Sequence, residues 1–460
     1  MSSKTQTALL SISDLRASFN GNVIAPGDDE YDSARTTFYG GIDHRPAVII
    51  RVRNADEVAR VIVLARETGM DLAIRSGGHS MVGHCVSDGG IVLDLSLMRD
   101  LQIDVDTKTA WAEAGMTAGE YTNAAGAHGL ATGFGDTGSV GIGGITLGGG
   151  VGYLVRKYGL TVDSLLAAEI VTADGELLRI DTDSHPGLFW AIRGGGGNFG
   201  VVTRFKFQLQ DVDEIVGGML FLPATADSIA SFMSLAETAP DELSTIANVM
   251  TAPPMPMIPE NYYGKPVIMA FLVYAGDPAE GERVVAPFKA IAAPLADMVQ
   301  RMKYPQIYQP EGEEYHPVAA ARTMFVDSID RAAAQTILDH IGASSASMAV
   351  TQLRALGGAM ARVPADATAF AHRKSKIMVN VAALYDQPDQ KATHESWVAD
   401  LASALQQSDK GAYVNFLGNE GEERIRAAYP NETWERLATI KAQYDPTNLF
   451  RLNQNIPPLK

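Results

Sequence analysis

The chain has 460 residues, with 37 basic and 54 acidic side chains, a net charge of −17 and a pI near 5.0. A hydrophobic share of 46%, a charged share of 20% and a mean hydropathy near zero describe a globular protein of two or three domains with material for a substantial core. Disordered and collagen-like readings drop out, the absence of basic clusters leaves no footprint for nucleic acid or anionic lipid, and the single cysteine, Cys85, excludes an internal disulfide framework and a multi-cysteine metal site.

The opening MSSKTQT lacks a charged segment followed by a long apolar one, and no run of about 18 apolar residues occurs. The chain is therefore expected to be cytoplasmic, without a membrane partner. Residues 46–97 alternate short β-branched runs (PAVIIRV, LAIR, IVLDLSL) with a helical period over 54–69. Asn54 reads as the N-cap, Gly69 as the residue past the C-terminus, and Val58, Val61, Ile62 and Ala65 as one buried face. LQIDVD and TAWAEAG read as a hairpin around Asp106-Thr107-Lys108, followed by a helix over 117–128.

Glycine density then jumps, with residues 133–152 holding ten of the 44 glycines. Glycine costs roughly 1 kcal/mol in a regular element, so such density signals close backbone approach or positive φ. AAEIVTADGELLRID predicts a hairpin with a tight primed turn at Asp174-Gly175. A short helix over 186–193 and a strand VVTRFKFQL come next.

A composition shift over 211–218 marks a boundary, giving three parts: 1–210, 211–410 and 411–460. The middle part alternates strands (VIMAFLVYA, AVTQLRALGG, KIMVNVAALY) with amphipathic helices over 226–236 and 393–407, which predicts an antiparallel α+β arrangement. The tail is a helix stopped by Asp445-Pro446 and an extended asparagine-rich end.

Three constellations carry chemistry. Gly195-x-Gly197-x-x-Gly200 matches a dinucleotide fingerprint, but a helix precedes it and a strand follows it, the reverse of what aims helix amides at a pyrophosphate. His79, His84 and Cys85 do not have a zinc-like spacing. Arg75-Ser76-Gly77-Gly78-His79-Ser80 ends a strand with a glycine turn that presents amides, a hydroxyl and an imidazole, the makings of an anion nest beside a nucleophile.

Together with RSGGHS, the segments DGGIVLDLS (88–96), SVGIGGITLGGGVGYLVRKYGL (139–160), LFWAIRGGGGNFGVVT (188–203) and YDPTNLFRLNQNI (444–456) stand in an order and spacing that resemble the FAD-linked oxidases of the vanillyl-alcohol oxidase superfamily, in the branch of berberine bridge enzyme and 6-hydroxy-D-nicotine oxidase. The resemblance spans essentially the whole chain and is weaker in its middle. It implies an α+β fold: a two-part FAD-binding domain of the PCMH type (1–210), an antiparallel-sheet substrate domain with helices on one face (211–410), and a C-terminal segment that returns to the first domain (411–460).

The resemblance also implies site residues. His79 is expected to bond covalently to the 8α carbon of FAD. Ser76, Gly77, Gly78 and Ser80 are expected around the pyrophosphate, with Arg75, Gly83 and Asn415 also binding the cofactor. Thr137, Gly138, Val140, Gly141, Gly143, Gly144, Gly148, Gly149, Gly150 and Gly152 are expected against the cofactor, with Gly195, Gly197, Asn198, Gly200, Val201, Val202 and Asn453. Many relatives carry a second linking cysteine where this chain has Thr137, so FAD held through His79 only is expected. Catalytic side chains are expected from Tyr413, Asn415, Gln352 and Arg354. The first two lie in GAYVNF, read as a strand whose alternation puts both on one face, with Tyr413 a base or a substrate hydrogen-bond partner if the site lowers its pKa. His372-Arg373 is a weaker expectation near the cofactor.

The implied activity is removal of hydride from a C–H bond next to an alcohol or amine, with O2 as acceptor and H2O2 as product. A dehydrogenase using another acceptor, or a binding module with little turnover, is the alternative; small Val140, at the position that lines the oxygen pocket in relatives, favours the oxidase. Implied partners are a small-molecule substrate and O2, with homo-oligomer formation open. Met250, Met255, Met257, Tyr262 and Tyr263 hint at an apolar or aromatic ligand.

Overall fold

The computed structural model describes residues 10–19, 22–309 and 315–459. The MSSKTQT opening lies outside the described residues. Val23–Ile24, Val48–Arg51, Ile91–Asp94 and Leu72–Arg75 form a four-stranded sheet in that order, its last two pairings parallel. Parallel neighbours need a crossover, and the helix Ala55–Thr68 supplies it. Asn54 caps it by accepting from the Glu57 amide (2.9 Å), and Gly69 ends it at φ 65°. The fully buried face Val58, Val61, Ile62 and Ala65 is the one the 3.6-residue period picks out.

A second, antiparallel sheet orders Leu101–Asp104, Thr109–Glu113, Val201–Gln208, Leu165–Val171 and Leu177–Ile180. The 165–171/177–180 hairpin corrects the expected turn. A two-residue type I′ turn needs positive φ at both central residues, whereas only Gly175 of the Asp174-Gly175 pair is left-handed (φ 88°). The connection is the longer 172–176 loop, closed by Gly175 N–H on Thr172 O and Thr172 N–H on Glu176 O, both 3.0 Å.

The third sheet has eight antiparallel strands. Its centre runs Glu214–Pro223, Pro266–Tyr274, Leu243–Thr251, Met348–Ala355, Ile377–Leu384, Ala319–Val326. The helices Ala226–Thr238, Pro278–Lys289, Arg331–Ala343 and Lys391–Leu405 bury their apolar sides on one face of it, in a core drawn entirely from residues 216–405. The opposite face turns toward the first two sheets.

The C-terminal segment packs elsewhere. Ala412, Leu417, Tyr429, Leu437, Phe450 and Ile456 belong to the same core as the two N-terminal sheets. A fully buried ion pair fastens it: Lys441 Nζ donates to Asp445 Oδ2 (2.7 Å), Asn198 O (2.7 Å) and Phe450 O (2.9 Å), while Asp445 accepts from the amides of Leu449 and Phe450. Removing one partner of such a pair strands the other charge in a dry interior, at a cost of about 3–5 kcal/mol. Lys441→Ala is therefore expected to lower the thermal unfolding midpoint sharply; a midpoint within a degree of the parent would show that the pair carries no net stability.

Candidate active site

A cavity of about 490 Å³ opens where the two N-terminal sheets, the C-terminal segment and the bare face of the large sheet meet. Its floor is made of two glycine turns that cross. A Cβ on Gly77 would collide with the backbone of Gly141, and one on Gly141 would collide with Gly77 and the Ser76 hydroxyl. Ser76 Oγ is fixed by donating to Ala114 O (2.6 Å), and Gly143 packs against the same serine. Gly144 and Gly197 also line the cavity, and among the described residues a Cβ on either would meet no atom within 4 Å beyond its own chain neighbours and helix backbone. Their side-chain volume would therefore fall into the cavity itself.

His79 projects from this floor. Its ring stacks on Phe38 at 4.2 Å and 17°, and Nε2 hydrogen-bonds Ser139 Oγ at 2.9 Å. Burial pulls its pKa down to about 4, against the opposing effect of Ser139. The imidazole is neutral at physiological pH, with a lone pair available for bonding. Ser80, Gly78, Thr137 and Val140 line the same wall.

The far wall comes from the turn around 195–202 and the tail. Asn198 Nδ2 donates to Gly195 O (2.9 Å) and Gln454 O (3.2 Å), and its Oδ1 accepts from Ile456 N–H (3.0 Å). Asn453 Nδ2 donates to Gly197 O (3.2 Å), while its buried Oδ1 has no partner among the described residues. Gly197, Asn198, Gly200, Val201, Val202 and Asn453 all line the cavity. Neighbouring strand order matches the reason for rejecting a nicotinamide fingerprint: Pro186–Ala191 is a helix before the glycines and Val201–Gln208 a strand after them.

The large sheet and the tail supply the remaining polar groups, Gln352, Arg354, Tyr413 and Asn415. Tyr413 and Asn415 are not on a strand. Val414–Phe416 is a 3-10 turn, so strand alternation does not pair them. A direct bond does: Asn415 Nδ2 donates to Tyr413 Oη (3.0 Å) and to Ile145 O (3.1 Å). Tyr413 Oη also accepts from the amides of Gly150 (3.0 Å) and Val151 (3.3 Å). The expected lowering of its pKa is corrected. Burial pushes the phenol up, and the hydrogen bonds from Asn415, Gly150 and Val151 oppose the rise.

Several expected cofactor residues lie behind the wall rather than on it. Gly148 makes room for the Asn415 side chain, Gly149 for Phe370 and Tyr413, Gly150 for Thr161, and Gly152 for the Phe134 carbonyl. The close approach their density signalled is protein on protein. Gly195 packs under Ala191 and Leu437, Gly138 against Gly119 and Tyr308, and Gly83 against Ile42 and His44. Arg75 turns away to donate to Thr36 O (2.6 Å). His372-Arg373 is corrected too: Arg373 is buried in a bidentate pair with Asp163 (2.7 and 2.8 Å), and His372 Nε2 bonds Ala428 O (3.0 Å). Met250, Met255, Met257 and Tyr262 pack with one another around Phe221 and Val267, and Tyr263 is exposed, so none of the five lines the cavity.

Sequence reasoning missed Phe38, Asp136 and Asn380, all on the cavity wall. Asp136 binds Arg354 (2.5 Å) across the cavity. Two signals were available: Asp136 precedes Thr137 in GDTGSVGIGG, and Asn380 interrupts the apolar run of KIMVNVAALY.

Residues 46–181 match a family model described as an FAD binding domain, and residues 412–457 one described as berberine and berberine like. The chain is 30% identical to (R)-6-hydroxynicotine oxidase of Paenarthrobacter nicotinovorans, covering 100% of this chain and 99% of that one. It is 29% identical to an uncharacterized FAD-linked oxidoreductase of Bacillus subtilis, over 97% of this chain and 98% of the relative. The crystal structure of 6-hydroxy-D-nicotine oxidase from Arthrobacter nicotinovorans superposes with a TM-score of 0.84 at 27% identity, covering 95% of this chain and 98% of that one. The crossed glycine turns, the open faces of Gly144 and Gly197 and the buried Asn453 oxygen are a cradle that fits a flavin dinucleotide. On this evidence the chain belongs to the FAD-linked oxidoreductases of the vanillyl-alcohol oxidase superfamily, in the berberine bridge enzyme-like branch.

Proposed function

We propose that the enzyme is an oxidase that takes hydride from a C–H bond adjacent to an alcohol or amine of a small organic molecule and releases H2O2, with FAD tied through His79 alone. The observation that carries this reading is the meeting, in one cavity, of a neutral His79 from the first sheet with Tyr413, Asn415, Gln352 and Arg354 from the opposite side. FAD bound there supplies the hydride acceptor and passes the electrons to O2. His79 offers the nitrogen lone pair for the covalent tie, and Ser139 and the Phe38 ring hold the imidazole in one orientation.

Tyr413 is a hydrogen-bond partner of the substrate in this reading. Burial raises its pKa although three N–H donors converge on its oxygen, so it meets the substrate as a neutral phenol held in one orientation. Asn415 holds that oxygen in place. Phe38, Met81, Val82, Leu147 and Phe416 close the cavity with apolar surface, which strengthens each polar contact inside it. The test is a screen of amines, sugars and phenolic alcohols on purified yellow protein. Hydrogen peroxide release with flavin bleaching is expected from one class, and reduction without reoxidation in air would replace the oxidase by a dehydrogenase.

A single tie is also supported by where the thiol sits. Cys85 is buried among Tyr31, Ala34, Ile49 and Val92, and burial raises its pKa, which keeps it an unreactive thiol. Cys85 touches the cavity wall as Thr137 does, but as a protonated thiol rather than a thiolate. Cys85→Ser is expected to leave the protein-bound flavin unchanged after acid precipitation, and a lost thioether absorbance in that variant would show a second attachment.

A further inference from the structure

Four polar side chains form a row across the face of the large sheet that is free of helices. Asn248 pairs in register with Gln352, Gln352 with Asn380, and Asn380 with Thr323, in four adjacent strands. Strand alternation puts their sequence neighbours Val249, Leu353, Val379 and Val381 in the helix-side core, so the row itself faces the other way. An all-polar row on a buried face is expensive unless its groups are paired.

Most of them are. Gln352 Nε2 donates to Asn248 Oδ1 (3.0 Å), and Asn248 Nδ2 donates to Met269 O (3.1 Å). Gln352 Oε1 accepts from Arg354 Nε (2.9 Å) and Nη2 (2.7 Å). Arg354 spends its other contacts on Val151 O (3.3 Å) and Asp136 Oδ2 (2.5 Å), and its side chain is only 5% exposed. Gln352 and Arg354 therefore arrive at the cavity held by protein partners.

Asn380 does not. It lines the cavity, and its Oδ1 is out of contact with water and has no hydrogen-bond partner among the described residues. Buried amides without partners are rare in folded proteins. The charges around it cancel: Asp136 is the one carboxylate among the described lining residues and is paired with Arg354.

We propose that Asn380 is the specificity-determining residue of this cavity: its amide takes the hydrogen-bonding group of an uncharged alcohol or amine substrate, and carboxylate substrates are refused because the Arg354 charge is already neutralised by Asp136. This rests on the oxidase reading above. It adds which end of the cavity grips the substrate and which charge class is turned away.

The test titrates the FAD-loaded enzyme with benzyl alcohol and with benzoate, two probes that share a ring, and follows the flavin absorbance change. The parent is expected to bind benzyl alcohol at least tenfold more tightly than benzoate. Asn380→Leu is expected to weaken benzyl alcohol roughly ten- to hundredfold, the range for a lost hydrogen bond in a buried site. Asp136→Ala is expected to strengthen benzoate about tenfold or more, because it frees part of the Arg354 fork. Equal or tighter benzoate binding by the parent, no binding of benzyl alcohol, or an Asn380→Leu variant that binds as the parent does would each overturn the proposal.

With a substrate from the screen, Asn380→Leu is expected to raise KM by the same factor while leaving the rate of flavin reduction at saturation within a few fold, and an unchanged KM would overturn it. Binding is read without turnover. Failure of the oxidase reading would appear separately, as a flavin that no alcohol or amine reduces.

Discussion

Tyr413→Phe is expected to slow flavin reduction by about 10²–10³-fold, the usual worth of one positioned hydrogen-bonding group in an active site, while air reoxidation and the thermal midpoint stay close to the parent. The geometry argues for the chemistry and against a packing role. Tyr413 is 2% exposed and its ring packs against Phe370 and Phe416, contacts that phenylalanine keeps. What the variant loses is one oxygen on which the amides of Gly150 and Val151 and the Asn415 side chain converge. A ring placed only for packing does not need three donors on its hydroxyl. Rapid mixing under anaerobic conditions isolates the reductive half-reaction. An unchanged reduction rate would remove Tyr413 from the chemistry, and slow reduction with a lowered midpoint would point to the orphaned amides rather than to a lost substrate contact.

The second large effect concerns attachment. Acid-precipitated parent protein is expected to retain its flavin in the pellet, and His79→Ala to release all of it to the supernatant. The imidazole is the only nitrogen nucleophile among the described lining residues that combines neutrality, a fixed orientation through Ser139 and a place on the crossed-glycine floor. His84 lines the cavity as well and is also kept neutral by burial, its pKa pulled down to about 4. It provides the control: His84→Ala is expected to keep the flavin bound to the polypeptide. Covalent flavin in His79→Ala, or its loss in His84→Ala alone, would move the tie from one histidine to the other. Loss of the tie is also expected to slow reduction, because an 8α-linked ring is the better electron acceptor.

The elements that form from local rules were legible in the chain. Asn54 and Gly69 bracket a helix because a side-chain cap and a left-handed glycine act within a few residues, and Val58, Val61, Ile62 and Ala65 share a face by helix geometry alone. The FAD family was legible too, since its glycine segments place backbone where no Cβ fits, and Gly77 and Gly141 show that requirement directly. Other features depended on approach between distant segments. Glycine density at 148–152 announced close contact but not its partner, which proved to be Asn415, Phe370, Thr161 and Phe134. Tyr413 and Asn415 were paired for the wrong local reason, because a 3-10 turn and a side-chain bond replace strand alternation. The direction of the Tyr413 shift followed from burial, a property of the folded interior that no hexapeptide carries. Arg354 meets Asp136 across 218 residues, and Asn380 Oδ1 is left without a partner among the described residues because its sheet neighbour Gln352 is held by Asn248 and Arg354. Spacing and composition determined which segments turn, cap and stack; only tertiary packing decided which polar groups face one another across the cavity, because those pairings join strands and loops far apart in the chain.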